Sequence, residues 1–343
     1  MQTDHSETTP SPHSAILSIT GQLLPARCIA IVTELAIPDL LDNQPQDANT
    51  LAESCGVHAP SLFRIMRFLA SINIFIHNND GTFANSPQSE VLRQDAQGSV
   101  YPLVRAGWQD LVWETYAHLH EGLITGKPAF SLAHGVPFFD YMAKNPKYGE
   151  MFDNSMALIS EPENAAIAET YPFEDVHTVM DIGGGRGGLL SALLKKYTHL
   201  RGILFDQPQV INSPNILSQA SLENRYKGIA GNFFDSVPAG ADVYILKRIL
   251  HDWNDEDAIR ILTKVRAALK PHERIAVVDA IIKPGSGSDP NKYMDVGIMT
   301  LLSGRERTAK DFEALFKAAN LKLLRFIPTP PPSNISIIEG AIL

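Results

Sequence analysis

The stretch DIGGGRGG, residues 181–188, lies between a β-rich run, His177–Ile182, and an apolar helical pattern, Leu189–Tyr197. Glycines between a strand and a helix allow a ligand to approach the backbone closely. The first turn of the helix adds free N–H groups and a partial positive charge. Tight turns between strands and helices also use glycine, so the loop alone is a weak signal. Its position between strand and helix indicates a cofactor site.

Short β-rich runs alternate with helical patterns on both sides of this loop. These runs are His177–Ile182, Gly202–Asp206, Lys227–Ala230, Asp242–Lys247 and Arg274–Asp279. Such alternation predicts an α/β fold with a mostly parallel, Rossmann-like sheet covered on both faces. The last two runs, Leu321–Ile327 and Ile335–Leu343, are joined by a short proline-rich loop and should therefore pair antiparallel.

The N-terminal part has a different pattern. From about Ile16 to Arg93 it is mainly helical, and it ends in two short apolar runs around the turn Asn78–Gly81, which is a β-hairpin signal. Helices followed by a hairpin predict a winged helix. Residues 1–100 contain ten acidic residues against four Lys or Arg, a net charge of −6. This surface would repel phosphate, so a dimer interface is the preferred role.

Composition limits the classes of protein further. The chain has 343 residues, of which 44% are hydrophobic and 20% charged, as expected for a soluble protein of two or three domains. The net charge of −9 disfavours nucleic acid as a partner. We find no signal sequence and expect no apolar run long enough to span a bilayer, which predicts a cytoplasmic protein without a membrane partner.

Two polar positions follow the next strands of the predicted sheet. Asp206 ends the second run, about 20 residues beyond the glycine loop, where a carboxylate can bind two ribose hydroxyls. Alternatively, it merely caps the following turn. Asn232 and Phe233 follow the third run and could hold an adenine by a hydrogen bond and a stacked ring. Both phenylalanines, Phe233 and Phe234, could instead belong to the core.

The run Lys247-Arg-Ile-Leu-His-Asp-Trp-Asn254 joins the fourth strand to a helix that begins near Asp255. His251 therefore lies at the carboxyl edge of the sheet, where α/β proteins bind their ligands. A histidine there suits general-base catalysis near neutral pH. Two acids, Asp279 and Glu306, are expected at the same edge and would fix its tautomer. No metal is expected at this edge, because its residues show no His-x-His or paired-Cys ligand spacing.

The chain resembles the S-adenosylmethionine-dependent O-methyltransferases of the caffeic acid type, which include bacterial enzymes that modify aromatic natural products. The resemblance covers nearly the whole chain, from about Leu23 to Leu343. It rests on the motifs Asp181-Ile-Gly-Gly-Gly, Phe205-Asp-Gln-Pro, Lys247 through Trp253, and Gly304-Arg-Glu-Arg-Thr. It implies a class I methyltransferase sheet and an N-terminal, mainly helical winged-helix domain that forms a homodimer.

The resemblance also implies roles for single residues. The catalytic group would be His251 as base with Asp279 and Glu306 beside it. The cofactor would be held by Asp181, Gly183, Gly184, Gly185, Asp206, Gln207, Asn232, Phe233 and Lys247. The acceptor would meet Phe152, Met156, Asp252, Trp253 and Met299. The family usually has Asp where Asn232 stands, although an amide oxygen can still accept a hydrogen bond from the adenine amino group.

These inferences predict four segments. They are a disordered tail (1–14), a winged-helix-like dimerisation domain (15–100), a helical linker with acceptor-pocket helices (101–172) and the S-adenosylmethionine-binding catalytic domain (173–343). The predicted reaction moves a methyl group from S-adenosylmethionine to a phenolic hydroxyl of a small aromatic acceptor.

Three alternatives remain at this stage. The same pocket could serve decarboxylation, hydroxylation or cyclisation, although the presence of His251 argues against this. A nicotinamide-dependent oxidoreductase is disfavoured by the acid that precedes the glycine loop and by the antiparallel end of the sheet. A DNA-binding regulator is disfavoured by the acidic N-terminal region.

Overall fold

The structure is a computed structural model that describes residues 11–107, 110–213 and 215–343. The chain forms two compact units. One contains Lys147–Ser155 and the described residues that precede Glu114; the other contains Glu114–Pro146 and Met156–Leu343. The four predicted segment boundaries stay a prediction. Residues 1–10 of the predicted tail lie outside the described residues, and the first helix already begins at Pro12.

The N-terminal part is a set of short helices with one hairpin. Its elements are α1 (Pro12–Thr20), α2 (Leu23–Glu34), α3 (Ile37–Leu40), α4 (Ala48–Cys55), α5 (Ala59–Ser71), β1 (Phe75–His77), β2 (Phe83–Asn85), α6 (Pro87–Glu90) and α7 (Tyr101–Gly107). The strands β1 and β2 pair antiparallel, as predicted. Helices α4 and α5 and this hairpin bury a common apolar core that includes Leu51, Met66 and Phe83. The winged-helix prediction is therefore confirmed in its elements.

The first two helices leave much apolar surface exposed. Leu17 is 70% exposed and Leu24 is 65% exposed. The segment Pro12–Glu34 has a mean hydropathy of 1.7 and is long and apolar enough, by length and composition alone, to cross a membrane. Our expectation that no apolar run reaches this length was therefore wrong. Only 17% of the most apolar window in this segment is buried within the single chain.

The following helices lead into the sheet. They are α8 (Asp110–Ala117), α9 (Leu119–Thr125), α10 (Ala129–His134), α11 (Phe138–Lys144) and the long α12 (Pro146–Thr170). The remaining elements are β3 (Thr178–Ile182), α13 (Gly188–Lys196), β4 (Arg201–Asp206), α14 (Pro208–Ile211), α15 (Ile216–Gln219), β5 (Tyr226–Ala230), β6 (Val243–Lys247), α16 (Asp255–Ala268), β7 (Arg274–Ala280), α17 (Pro290–Leu301), α18 (Ala309–Ala318), β8 (Leu321–Pro328) and β9 (Ile335–Ile342). Short 3₁₀ turns span Glu223–Arg225 and Leu250–Asp252.

The seven strands from β3 onward form one sheet in the order β5-β4-β3-β6-β7-β9-β8. The first five strands run parallel, and β9 pairs antiparallel with both β7 and β8. The predicted fold class is confirmed. Parallel neighbours bring the carboxyl ends of β3, β4, β6 and β7 to one edge.

An apolar cluster lies on each face of the sheet, and the side chains of its central strands point alternately into one and the other. In β3, Val179 belongs to the apolar cluster on one face, while Met180 and Ile182 belong to the cluster on the other. Helix α16 adds Ile261, Leu262 and Val265 to the second of these clusters. A sheet held on both faces gives the loops at its carboxyl edge a rigid base.

Candidate active site

The glycine loop after β3 is shaped by close approaches that leave no room for side chains. Gly183 has φ 68°, a left-handed conformation that favours glycine. A Cβ atom at Gly184 would lie 2.6 Å from the carboxylate carbon of Asp181 and 2.6 Å from a methyl of Leu204. The loop therefore presents bare backbone, which suits close contact with a cofactor.

Asp206 stands at the end of β4 beside this loop. One of its oxygens accepts from the backbone N–H of Gly185 at 2.8 Å, and the other accepts from that of Gln207 at 2.7 Å. Asp206 therefore does cap the turn that follows β4. An ionised carboxylate has about four lone-pair sites, so two hydroxyl donors can still be accepted. Burial raises the pKa of Asp206, although these two hydrogen bonds by themselves would lower it.

Asp181 is the buried acid at the root of the loop. It is 2% exposed, and its Oδ2 atom has no hydrogen-bond partner in the described structure. Burial raises the pKa of Asp181 to about 7, while the cation of Lys247 works in the opposite direction. A buried oxygen without a donor is costly, and a ligand that carries an N–H or O–H group would satisfy it.

The predicted adenine residues lie on the turn after β5. Asn232 is exposed, and its Oδ1 atom accepts from the backbone N–H of Phe234 at 2.9 Å. Phe233 lies close to the loop, since its ring edge is 3.7 Å from the position of a Cβ at Gly183. Trp253 packs edge-on against Phe234, with ring centroids 4.7 Å apart. The structure thus places Trp253 beside the predicted adenine residues, and its acceptor role stays a prediction.

Lys247 ends β6 and is paired with an acid that the sequence analysis missed. Its Nζ atom lies 3.0 Å from Oε2 of Glu163 in α12, and both side chains are more than 90% buried. Glu163 also binds the guanidinium of Arg248 at 2.5 Å. Burial lowers the pKa of Lys247, and the charge of Glu163 works against this shift. Nothing in the local sequence of α12 distinguishes Glu163 from a surface acid.

His251 lies in the 3₁₀ turn Leu250–Asp252 (the His251 turn) and is 7% exposed. Its Nδ1 atom is 2.9 Å from Oε1 of Glu306, and its Nε2 atom is 3.4 Å from Oδ1 of Asp252. Asn254 caps the next helix, α16, by accepting from the N–H of Asp257. The predicted placement of His251 in a loop at the carboxyl edge is therefore observed.

Three carboxylates act on this imidazole: Asp252, Asp279 and Glu306. Burial by itself would lower the pKa of His251, but these charges outweigh it and raise the pKa to about 9. Asp279 is fully buried, neither of its oxygens has a hydrogen-bond partner in the described structure, and burial raises its pKa to about 7. The arrangement favours an imidazole that takes up a proton.

Gly304 and Arg307, which flank Glu306 in the motif Gly304-Arg-Glu-Arg-Thr, also contact the His251 turn. Arg307 is fully buried and donates to the carbonyl oxygens of Leu250 and Trp253 at 2.7 and 2.8 Å. A Cβ atom at Gly304 would lie 1.9 Å from the carbonyl oxygen of His251. The motif around Glu306 is thus packed directly against the turn that carries the histidine.

Of the predicted acceptor residues, Asp252 and Trp253 take part in the contacts described above. Met156 in α12 is 37% exposed and Met299 in α17 is 44% exposed. Phe152 belongs to the other compact unit. Their contacts with an acceptor stay predictions. Within residues 11–107, 110–213 and 215–343, no group of three or more His, Cys, Asp or Glu side chains is placed to hold a metal ion.

Two family models match the chain. An O-methyltransferase domain matches residues 116–322, and an O-methyltransferase dimerisation domain matches residues 19–95. The phenazine O-methyltransferase of Lysobacter antibioticus is 35% identical over 334 residues, which cover 96% of each chain.

Solved structures are similar over the whole length. The mitomycin 7-O-methyltransferase has a TM-score of 0.92 at 32% identity and covers 96% of this chain and 98% of its own. An O-methyltransferase of neocarzinostatin biosynthesis, solved with S-adenosylmethionine and 2-hydroxy-5-methyl naphthoic acid, has a TM-score of 0.83 at 27% identity and covers 94% of this chain and 97% of its own.

The glycine loop, the orphaned oxygen of Asp181 and the carboxylate of Asp206 fit the cofactor of these relatives, which has amino, N–H and hydroxyl donors. The family match spans more than half of the chain and agrees with the fold and with this edge of the sheet. The chain belongs to the O-methyltransferase family of natural-product biosynthesis and is an S-adenosylmethionine-dependent methyltransferase.

Proposed function

We propose that this protein methylates a phenolic hydroxyl of a small aromatic acceptor, with His251 as the general base. The observation that carries the proposal is the buried imidazole whose Nδ1 atom is bound to Glu306 and whose charge is favoured by Asp252 and Asp279. A carboxylate on one ring nitrogen fixes the tautomer and leaves the other nitrogen to accept a proton.

S-adenosylmethionine, when bound, supplies a methyl group that its sulfonium sulfur has already activated. The chain has to align an oxygen nucleophile with that methyl group, and such positioning is worth about 7–11 kcal/mol of barrier reduction. A phenol has a pKa of about 10 and is a weak nucleophile at neutral pH. His251 removes its proton, and Glu306, Asp252 and Asp279 stabilise the imidazolium that forms.

For the cofactor, we propose that the backbone of Gly183, Gly184 and Gly185 lies against the methionine part and that Asp206 binds the ribose hydroxyls. The bare loop and the lone pairs left on Asp206 support this. Asn232 and Phe233 are assigned to the adenine. Asp181, Gln207 and Lys247 complete the site: Asp181 has an oxygen with no partner among the described residues, and the charge of Lys247 acts on this carboxylate.

We further propose an acceptor that is flat and largely apolar. Support comes from the partly exposed methionines Met156 and Met299, since thioether side chains adapt to aromatic rings. Two crystal structures of a relative contain naphthoic acids. Asp252, Trp253 and Phe152 are the remaining residues that we assign to acceptor contacts.

We also propose that the chain works as a cytoplasmic homodimer formed through its N-terminal domain. The dimerisation-domain match begins at residue 19, within the exposed apolar segment Pro12–Glu34. A second subunit would cover the exposed side chains of Leu17 and Leu24 and remove the need for a membrane. Sedimentation of the purified protein should give twice the 37.6 kDa of one chain.

The test of the base is His251→Gln, assayed with labelled methyl donor and a panel of mono- and polycyclic phenols. We expect turnover to fall about 10²–10⁴-fold, the usual contribution of a positioned base. Calorimetry should show unchanged binding of S-adenosylhomocysteine, because the substitution leaves the glycine loop and Asp206 intact. Turnover near that of the wild type would remove the base assignment and leave positioning alone as the source of catalysis.

A further inference from the structure

Arg307 donates to the backbone on both sides of His251, although it lies 56 positions away in the sequence. Its Nη1 atom donates to the carbonyl oxygen of Leu250 at 2.7 Å, and its Nη2 atom donates to that of Trp253 at 2.8 Å. Its Nε atom donates to Asp255, the first residue of α16, at 3.0 Å. The guanidinium is fully buried, so these hydrogen bonds are not replaced by water.

The backbone of Arg307 is itself held firmly. Its carbonyl oxygen accepts from the N–H of Ile282, just beyond β7, at 3.0 Å, and the two segments form a parallel bridge. The next residue, Thr308, opens α18 with a capping box made with Asp311. Arg307 is bridged to the segment after β7, and Thr308 is the N-cap of α18. The main chain that carries the Arg307 side chain is therefore fixed.

The same segment also touches the turn through its backbone. A Cβ atom at Gly304 would lie 1.9 Å from the carbonyl oxygen of His251 and 2.5 Å from the backbone nitrogen of Trp253. Glu306, between these two contacts, binds the imidazole itself. The segment Gly304–Thr308 therefore contacts the main chain of the turn through Gly304 and Arg307, and the side chain of His251 through Glu306.

We propose that Arg307 is a positioning residue that fixes the His251 turn at the angle from which the imidazole meets Glu306. The proposal rests on the proposed function of His251 as the base. The hydrogen bonds of Arg307 go to the main chain of the turn rather than to the imidazole: it is a second donor to the carbonyl of Leu250, beside the N–H of Trp253, and it is a donor to the carbonyl of Trp253. A displacement of about 1 Å at a reacting group lowers turnover about a hundredfold.

The test is Arg307→Lys, which keeps the charge but not the planar fork that reaches two carbonyls and a carboxylate together. The matched control is Arg305→Lys. Arg305 binds the same Asp255 at 2.9 Å and also Asp311, but it is 42% exposed and its hydrogen bonds go to these acids rather than to the turn.

We expect Arg307→Lys to lower kcat about a hundredfold, with the affinity for S-adenosylhomocysteine unchanged within about twofold. The imidazole signals of His251 in NMR spectra should move, and the pH at which they titrate should fall, because the ring leaves the carboxylates. Arg305→Lys should leave both kcat and the His251 signals unchanged. A folded Arg307→Lys enzyme with normal kcat and unmoved His251 signals would overturn the proposal, as would equal losses in both variants.

Two further arms separate the possible failures. If Arg307→Lys does not fold, Asp255→Asn removes the charge that holds the guanidinium; it should shift the same NMR signals, and unmoved signals would overturn the proposal. If His251→Gln keeps full turnover, the base assignment fails. The NMR shift in Arg307→Lys still decides whether Arg307 positions the turn.

Discussion

The Nδ1 atom of His251 lies 2.9 Å from Oε1 of Glu306, and the same carboxylate oxygen lies 3.4 Å from a guanidinium nitrogen of Arg248. Glu306 is therefore shared between an imidazole and a cation, and Arg248 is held in turn by Glu163. A carboxylate oxygen can only accept, so Nδ1 carries the proton in its hydrogen bond to Glu306. Nε2, which lies 3.4 Å from Oδ1 of Asp252, is then the ring nitrogen left to take up a proton.

We expect Glu306→Gln to keep the hydrogen bond to Nδ1 but to remove the charge that stabilises the imidazolium. A hydrogen bond to a charged group is worth about 1–1.5 kcal/mol more than one to a neutral group, so kcat should fall roughly fivefold to tenfold. Steady-state assays with the phenol panel measure this loss. Full activity in Glu306→Gln would show that the charge of Glu306 is irrelevant to proton transfer.

The pH dependence of the rate follows from the raised pKa of His251. Burial alone would lower this pKa, but Asp252, Glu306 and Asp279 raise it to about 9. A general base must be neutral to accept a proton, so kcat/KM should rise with pH up to about pH 9 and level off only above it. A profile that is flat from pH 6 to pH 9 would contradict the assignment.

The bound cofactor should modify this titration. Its sulfonium carries a positive charge, and a nearby cation lowers the pKa of an imidazole. Calorimetry near pH 8, in buffers of different ionisation enthalpy, measures the protons released on binding. We expect His251 to release a proton when S-adenosylmethionine binds. Less release is expected with S-adenosylhomocysteine, because its sulfur is neutral. Identical release with both ligands, or release that persists in His251→Gln, would assign the proton to another group.

Asp206→Ala should weaken the binding of S-adenosylhomocysteine. The variant loses the proposed ribose contacts and also the acceptor for the N–H of Gly185. Loss of hydrogen bonds to a charged group, at about 1.5–3 kcal/mol, corresponds to roughly a tenfold to 150-fold higher Kd. The variant Asp206→Asn separates the two effects, because its amide oxygen can still bind Gly185. Unchanged affinity in both variants would overturn the ribose role.

Gly184→Ala should destabilise the loop more than Gly185→Ala. A Cβ at Gly184 meets Asp181 and Leu204 at 2.6 Å, whereas a Cβ at Gly185 meets open space. Overpacking of this kind costs about 1–3 kcal/mol, and an alanine at the positive φ of Gly185 costs about 1–2 kcal/mol. Thermal melting in the absence of cofactor compares the two. A lower melting temperature for Gly185→Ala would contradict the packing argument.

The sheet could be predicted from the sequence because its signals are local. Each strand is a short β-rich run, and the observed strand β6, Val243–Lys247, differs from the predicted run by one residue. The carboxyl edge then follows from parallel pairing, which is why His251, Asp279 and Glu306 could be predicted as neighbours. Long helices were less well predicted: residues 101–172 were expected to be helical without individual bounds, whereas α12 alone runs from Pro146 through Pro162 to Thr170.

The long-range contacts of the site could not be predicted. Glu163 pairs with Lys247 across 84 positions, and Arg307 reaches Leu250 across 57. Neither partner has a spacing that announces the contact, because helix packing, rather than local sequence, brings them together. The length of the apolar segment Pro12–Glu34 was also misjudged, because polar residues such as Thr20 and Gln22 interrupt it without lowering its mean hydropathy enough.

The buried acid Asp279 has a consequence for the evolution of the enzyme. Its carboxylate oxygens find no donor among the described residues, and an unmet polar group inside a protein costs about 1–3 kcal/mol. Alanine is slightly smaller than aspartate and has no polar side-chain atom, so selection for heat resistance alone would favour Asp279→Ala. The acid at this position therefore sets stability against turnover, and Asp279→Ala should melt higher while it turns over more slowly.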